Sequence, residues 1–236
     1  MMSMYRQPAH AVNRLLPALF IRCRSQPLIC RNAPASFSCR KTNFEAVIAM
    51  LYTSAMAKHL IFFHGGGSEE DYEADAKLVA SLKLKLGSGY SIHYPLLLDN
   101  GTPDLGRRKQ ISHEIYASED NAILVGHSLG ASMLLAYLSE IKIRKKIAGI
   151  FLLATPFWNG NEDWVKAFKL QPDFAKQLDK KTPLFFYHCR DDEEIPFGHL
   201  AIYKQQLPWA SFRAISVGGH QLNNDLTIVA NDIKLI

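Results

Sequence analysis

The stretch Ala122-Ile-Leu-Val-Gly-His-Ser-Leu-Gly130 decides how the rest of the chain is read. A short apolar run ends in Gly-x-Ser-x-Gly, and Leu134, Leu138 and Ile141 then recur at helical spacing. A strand that turns abruptly into a helix crowds the backbone around its central residue. Side chains at positions 126 and 130 would collide with neighbouring backbone, which accounts for both glycines. The turn holds Ser128 in a strained conformation with its hydroxyl exposed. It also sets Ser128 at a helix N-terminus, where N–H groups and the helix dipole favour negative charge. The plain alternative for Ser128 is an N-cap.

A serine hydroxyl is a poor nucleophile near neutral pH and needs a base, normally a histidine oriented by a carboxylate. On this kind of turn the chain order is Ser, then Asp or Glu, then His. Only three histidines follow Ser128: His188, His199 and His220. His188 lies inside a predicted strand. His199 sits in a predicted helix and reads as a surface residue. His220 follows Val217-Gly-Gly in a flexible loop just past the last predicted strand and is the candidate base. Four carboxylates, Asp191, Asp192, Glu193 and Glu194, crowd the turn before Ile195-Pro196. Such a run is often a solvated turn, but one member can accept the His220 Nδ1–H bond. Spacing does not choose between Asp191 and Asp192.

Outward from the serine turn the chain alternates apolar strands and helical patterns. The predicted strands are residues 59–63, 90–94, 122–125, 147–153, 184–188 and 211–217. The predicted helices are 69–86, 105–118, 128–141, 197–206 and 223–233, with one or two short helices in 162–179. Residues 69–86 carry Ala74, Leu78, Leu82 and Leu86 every four residues behind an acidic first turn. This pattern predicts an α/β fold, a mostly parallel sheet of six to seven strands with helices on both faces. Right-handed crossovers then put every strand's C-terminal end on one edge, where such folds hold their sites.

His64-Gly-Gly-Gly67 ends the first strand at that same edge. Glycine lets backbone N–H groups approach a ligand closely. With the N–H of Leu129, one from Gly65 or Gly66 would complete a pair of donors for an oxyanion. No Gly-Lys-Ser/Thr follows, so a phosphate-binding P-loop is excluded; a plain flexible turn is the alternative.

These stretches together resemble the α/β-hydrolase superfamily: His64-Gly-Gly-Gly67, Gly126-His-Ser-Leu-Gly130, Arg190-Asp-Asp-Glu-Glu-Ile-Pro196 and Gly218-Gly-His220. The likeness runs over about residues 57–236 and is greatest to small, lid-poor serine hydrolases of the YdeN and retinoblastoma-binding-protein type. In that family's turn the acid lies four residues before the proline, which implies Asp192, with Asp191 as the fallback. The resemblance implies a three-layer fold without a large lid and no cofactor. It implies a triad of Ser128, Asp192 and His220 that cleaves carboxylic esters through an acyl-enzyme. A thioesterase or peptidase with the same triad, or a non-catalytic interaction protein on this fold, are the alternatives. Residues 154–183 are too short for a large lid. Phe157, Trp158, Trp164 and Phe168 there read either as an acyl-pocket wall or as plain core. His64 and His127, flanking the two glycine turns, are further pocket candidates together with Phe157 and Trp158.

The composition is that of an ordinary globular chain: 236 residues, 48% hydrophobic and 21% charged. Its formal charge of +5 divides unevenly. Residues 1–55 hold seven cations against Glu45 alone, and the remainder holds 20 cations and 21 acids. A body near neutrality argues against a nucleic-acid partner. No uninterrupted apolar run is long enough for a membrane span, and no clustered His/carboxylate motif suggests a metal. The expected partner is a small acyl substrate, the expected state a monomer. Of four cysteines, Cys23, Cys30 and Cys39 fall in the first segment and only Cys189 beyond it, which fits a cytoplasmic, reducing compartment. Residues 1–55 read as an N-terminal extension: a disordered tail, an organelle-targeting or secretory leader, or an over-extended start before Met56. Residues 57–236 read as the α/β domain.

Overall fold

The computed structural model describes residues 57–236; the expected extension at 1–55 lies outside the described residues. Six strands form one sheet: β1 Lys58–Phe63, β2 Tyr90–His93, β3 Ala122–His127, β4 Ile147–Leu153, β5 Leu184–Cys189 and β6 Ser211–Ile215. Their order is β2-β1-β3-β4-β5-β6, and every pairing is parallel. The helices are α1 Glu69–Leu86, α2 Arg107–Ala117, α3 Ser128–Glu140, α4 Phe174–Gln177, α5 Gly198–Gln206 and α6 Thr227–Lys234.

Alternation along the strands feeds two cores. In β1, Leu60 and Phe62 join Leu78 and Leu82 of α1 and Val229 and Ile233 of α6 on one face. Ile61 and Phe63 join Ile111 of α2, Leu134 of α3 and Tyr203 of α5 on the other. A sheet covered on both faces requires apolar residues at every position, which is why the central strands read as unbroken apolar runs.

The expected strands and helices are present, with shifts at their ends. β3 runs on to His127 because Gly126 pairs with Phe63 on one side and His127 with Leu153 on the other. The last helix begins at Thr227 and not at Asn223. Leu222, Asn223 and Asn224 all have positive φ, which α-helix does not accommodate. Residues 162–179 give a short 3₁₀ turn, Asp163–Ala167, and α4.

α1 starts at a capping box. Ser68 Oγ accepts from Asp71 N at 3.2 Å and Asp71 Oδ2 accepts from Ser68 N at 3.0 Å. Its buried stripe is Asp75, Leu78, Leu82 and Leu86. Asp75, and not the expected Ala74, therefore occupies the innermost slot at the end nearest β1's glycines.

The strand order places the site. The chain runs from β1 out to β2, then returns to lay β3 on β1's other side. The reversal leaves a crevice outside the C-terminal ends of β1 and β3. Phe63 pairs with Gly126 there, so the triple-glycine loop and the serine turn leave the sheet side by side.

Candidate active site

Ser128 has φ +50° and opens α3. Both flanking glycines are required by the close approach of backbone. A Cβ on Gly126 would stand 2.7 Å from Ala131 Cα, and one on Gly130 would fall on the carbonyls of Phe63 and His64. Left-handed backbone at a non-glycine residue costs about 1–3 kcal/mol. Here the tight β3–α3 turn imposes it, and it pushes the serine out toward a cavity of about 590 Å³. Gly65, Leu129, Trp158, Glu194 and His220 also line that cavity. Among the described residues the Ser128 hydroxyl has no hydrogen-bond partner.

On one side of the crevice the acidic turn after β5 organises the loop after β6, because Cys189 and Ile215 pair at the ends of these two strands. Each of the four carboxylates has a different place. Asp191 accepts from Gly218 N at 2.9 Å and from Gly219 N at 3.0 Å. Asp192 faces the His220 ring, with Nδ1 3.0 and 3.1 Å from its two oxygens. Glu193 accepts from His220 N at 2.9 Å. Glu194 Oε2 stands 3.5 Å from His220 Nε2. The carboxylate beside the ring is thus Asp192, while Asp191 holds the backbone that carries it.

Burial opposes the charge on Asp192. Hydrogen bonds from His188, His220 and Ile195 N outweigh burial and hold the carboxyl well below the usual carboxylate range. His188 is buried near the end of β5, its Nε2 3.2 Å from Asp192 Oδ2. His199 is half-buried, not a free surface residue: its Nδ1 accepts from Phe157 N at 3.0 Å.

On the other side, the glycine loop is held at every peptide. Gly65 N donates to Asp75 Oδ2 at 2.8 Å and Gly67 N to Asp71 Oδ2 at 2.9 Å. Arg107, fully buried, donates through Nη2 to the carbonyls of Gly65 and Gly66. Burial lowers its pKa to about 10 against the charges of Asp71, Asp99 and Asp75. The Gly65 N–H, expected as an oxyanion donor, is therefore already committed to Asp75. Gly66, at φ +46°, keeps its N–H without a partner among the described residues. Leu129 N lies in the first turn of α3, where N–H groups have no intrahelical acceptor.

Two of the expected pocket residues lie elsewhere. His64 is fully buried and outside the cavity. Its Nε2 accepts from Leu97 N at 2.9 Å, so its Nδ1 carries the proton and donates to Gly65 O at 2.6 Å. Burial and the Arg107 charge lower its pKa to about 4 and keep it neutral. Phe157 packs edge-on against Tyr203, ring centroids 5.4 Å apart, and belongs to the core. Its neighbour Trp158 packs against the same core but also reaches the cavity. With Trp164 and Phe168 it lines the cavity, its indole donating to Ser132 Oγ at 3.0 Å. His127 touches the cavity but is 1% exposed. Its Nδ1 is 2.8 Å from Asp75 Oδ1 and its Nε2 is 3.1 Å from the His220 carbonyl. Sequence reasoning missed Asp75 and Arg107 altogether. A larger cavity of about 700 Å³ lies at the opposite end of β4 and β5, among Lys142, Lys145, Lys146 and Lys181, away from Ser128. No helix among the described residues is long and apolar enough to cross a membrane.

Known proteins place this arrangement. Among solved structures, the ydeN gene product of B. subtilis is similar, with a TM-score of 0.58 and 19% identity over 76% of this chain and 98% of that one. Est1E from Butyrivibrio proteoclasticus has a TM-score of 0.56 and 17% identity over 76% of this chain and 87% of its own. The thioesterase domain from the curacin biosynthetic pathway has 0.56 and 15% over 76% and 92%. At these identities the likeness is one of fold, an α/β-hydrolase fold. No curated protein matches the chain. The family described as Serine hydrolase matches residues 104–225, from just before α2 to just past His220. That span is more than half of the chain and contains the serine turn, the acidic turn and the histidine loop, and on it the chain belongs to the serine hydrolase family.

Proposed function

We propose that this hydrolase cleaves carboxylic esters through an acyl-enzyme on Ser128. The observation that carries the reading is the shared cavity. An outward-turned serine on a strained turn faces the same space as a histidine whose Nδ1 is fixed on a charged carboxylate. His220 Nε2 takes the Ser128 proton as Oγ attacks the acyl carbon. Asp192 fixes the tautomer and stabilises the imidazolium that forms. The oxyanion collects on the N–H groups of Leu129 and Gly66, both of which line the cavity. His220 then gives its proton to the leaving alcohol. Water, deprotonated by His220 in turn, attacks the acyl-enzyme and releases the acid.

In this structure His220 Nε2 stands by Glu194, 3.5 Å away. Catalytic hydrogen bonds are commonly loose before substrate arrives, and this mechanism requires the His220 ring to turn from Glu194 toward Ser128 when substrate binds. The cavity, walled by Trp158, Trp164 and Phe168 with no covering domain among the described residues, favours short, soluble acyl groups.

A fluorophosphonate probe tests the reading. Ser128 is expected to be labelled and Ser128→Ala not, with p-nitrophenyl butyrate turnover falling by about 10⁴-fold or more. A folded protein that leaves Ser128 unlabelled would defeat the enzyme reading and favour an interaction protein. Labelling with preference for a thioester over the matched oxygen ester would move the substrate class and keep the triad.

A further inference from the structure

We infer that Asp75 is a positioning residue for the reaction: one buried carboxylate that ties together the three loops carrying the oxyanion donor, the nucleophile and the base. The inference rests on the triad reading above and adds a residue outside it.

Asp75 occupies the first slot of the leucine stripe of α1, at 1% exposure. A leucine would pack there. Placing a carboxylate instead costs several kcal/mol of desolvation unless it is paired and hydrogen-bonded. Its bonds go to three separate places. Gly65 N, after β1, donates to Oδ2 at 2.8 Å. His127 Nδ1, at the end of β3 and next to Ser128, lies 2.8 Å from Oδ1. Gln221 Nε2, next to His220, donates to Oδ1 at 3.2 Å. His127 extends the reach, donating through Nε2 to the carbonyl of His220 itself at 3.1 Å. The rings of His127 and His220 are 4.8 Å apart.

Acceptors alone fix the state of His127. A carboxylate at Nδ1 and a carbonyl at Nε2 both require N–H, so the ring is an imidazolium. Burial works against that charge, and the Asp75 charge and hydrogen bond outweigh burial and raise the pKa. The same pairing, with the Gly65 bond, holds Asp75 below the carboxylate range against its own burial.

Asp75 touches the edge of the cavity, but its bonds go to Gly65, His127 and Gln221 and none to Ser128, so it acts through its partners. It holds Gly65, whose Cβ position is 3.1 Å from Ser128 Cβ, and so sets where the Gly66 N–H points. It also fixes the His220 backbone from the side opposite Glu193. A displacement of about 1 Å in either loop can cost about 10²-fold in turnover.

Asp75→Asn and Asp75→Ala test this with p-nitrophenyl butyrate kinetics and fluorophosphonate labelling rates, both per folded molecule. Asparagine keeps the Gly65 bond and lets His127 relax to its neutral form, so it is expected to fold, with thermal stability lowered near neutral pH by the lost ion pair. Its kcat is expected to fall about 10-fold and that of Asp75→Ala about 100-fold, each with KM within about two-fold of wild type. If Asp75→Ala does not fold, Asp75→Asn decides alone. Wild-type kcat in Asp75→Asn, or a loss confined to KM, would overturn the inference. Failure of the triad itself reads differently: Ser128 of the wild-type protein would not be labelled at all.

Discussion

Two histidine–aspartate pairs stand side by side at the crevice, and they are built for opposite ends. In Asp192–His220 one ring nitrogen is committed, and the other faces the cavity beside Glu194. In Asp75–His127 both nitrogens are committed, one to the carboxylate and one to the His220 carbonyl. The carboxylates are alike: the side chain of each is buried, and against that burial each is held below its ordinary pKa, Asp192 by its hydrogen bonds and Asp75 by the His127 charge and then its hydrogen bonds. What separates a candidate base from a structural cation is the second nitrogen. A histidine with nowhere to send its other proton cannot cycle.

The largest expected effect breaks the first pair. His220→Ala and Asp192→Asn are each expected to lower kcat/KM for p-nitrophenyl butyrate by about 10³–10⁴-fold. Unfolding midpoints in urea should stay close to wild type. Asp191→Asn removes only an acceptor for the Gly218 and Gly219 amides. About a ten-fold loss is expected there. Equal losses at 191 and 192 would erase the distinction between the ring partner and the loop holder.

The second pair should respond in the opposite currency, stability. His127→Ala strands the Asp75 carboxylate in the core, and removing one partner of a buried pair costs about 3–5 kcal/mol. The sign with pH follows from the two shifts. His127 is raised, so its contribution is complete below about 6.5 and is lost as pH climbs through its raised value. Asp75 is lowered, so its contribution is complete above about 3.9 and is lost as pH falls through its depressed value. Between these limits the pair stabilises most. Urea unfolding of the wild-type protein should therefore weaken on the alkaline side of neutrality. In Asp75→Asn, where His127 is neutral throughout, that alkaline decline should flatten. An unchanged alkaline slope in Asp75→Asn would mean that His127 is not the titrating group.

The same contrast governs what could be read from the sequence. The first pair announces itself, because its members sit in loops marked by paired glycines and clustered acids that no strand or helix pattern calls for. The alternation of apolar runs and helical spacing fixed the sheet edge on which those loops meet. Asp75 was hidden by the helix period. At about 100° per residue, Ala74 and Asp75 lie about 40° and 60° to either side of Leu78, so either fits the stripe, and an acid in a helix that starts Glu-Glu-Asp reads as solvated. Only the position of β1's glycines against α1 shows which of the two points inward. Arg107 was hidden in the same way, as one more cation on a polar helix, although its guanidinium lies under the glycine loop. Phe157 and Trp158 show the limit for aromatics. Adjacent residues in an irregular segment pack on one core, only Trp158 reaches the cavity, and nothing in their spacing says which one does.

The smallest expected effect concerns the backbone that separates the two pairs. Ser128 bears the positive φ between His127, locked, and the cavity, open. If the turn stores strain at this residue, Ser128→Gly should relieve it, since glycine enters left-handed backbone freely. Glycine also gains freedom in the unfolded chain, which offsets about 0.5–1 kcal/mol of the relief. A net stabilisation of about 1 kcal/mol over Ser128→Ala is expected in urea unfolding, because both variants lack the hydroxyl and differ only in Cβ. Equal stability of the two would place the strain elsewhere in the turn. A difference of the expected sign would mean that Ser128 is held against local backbone preference, while its neighbour His127 is held by satisfied bonds alone.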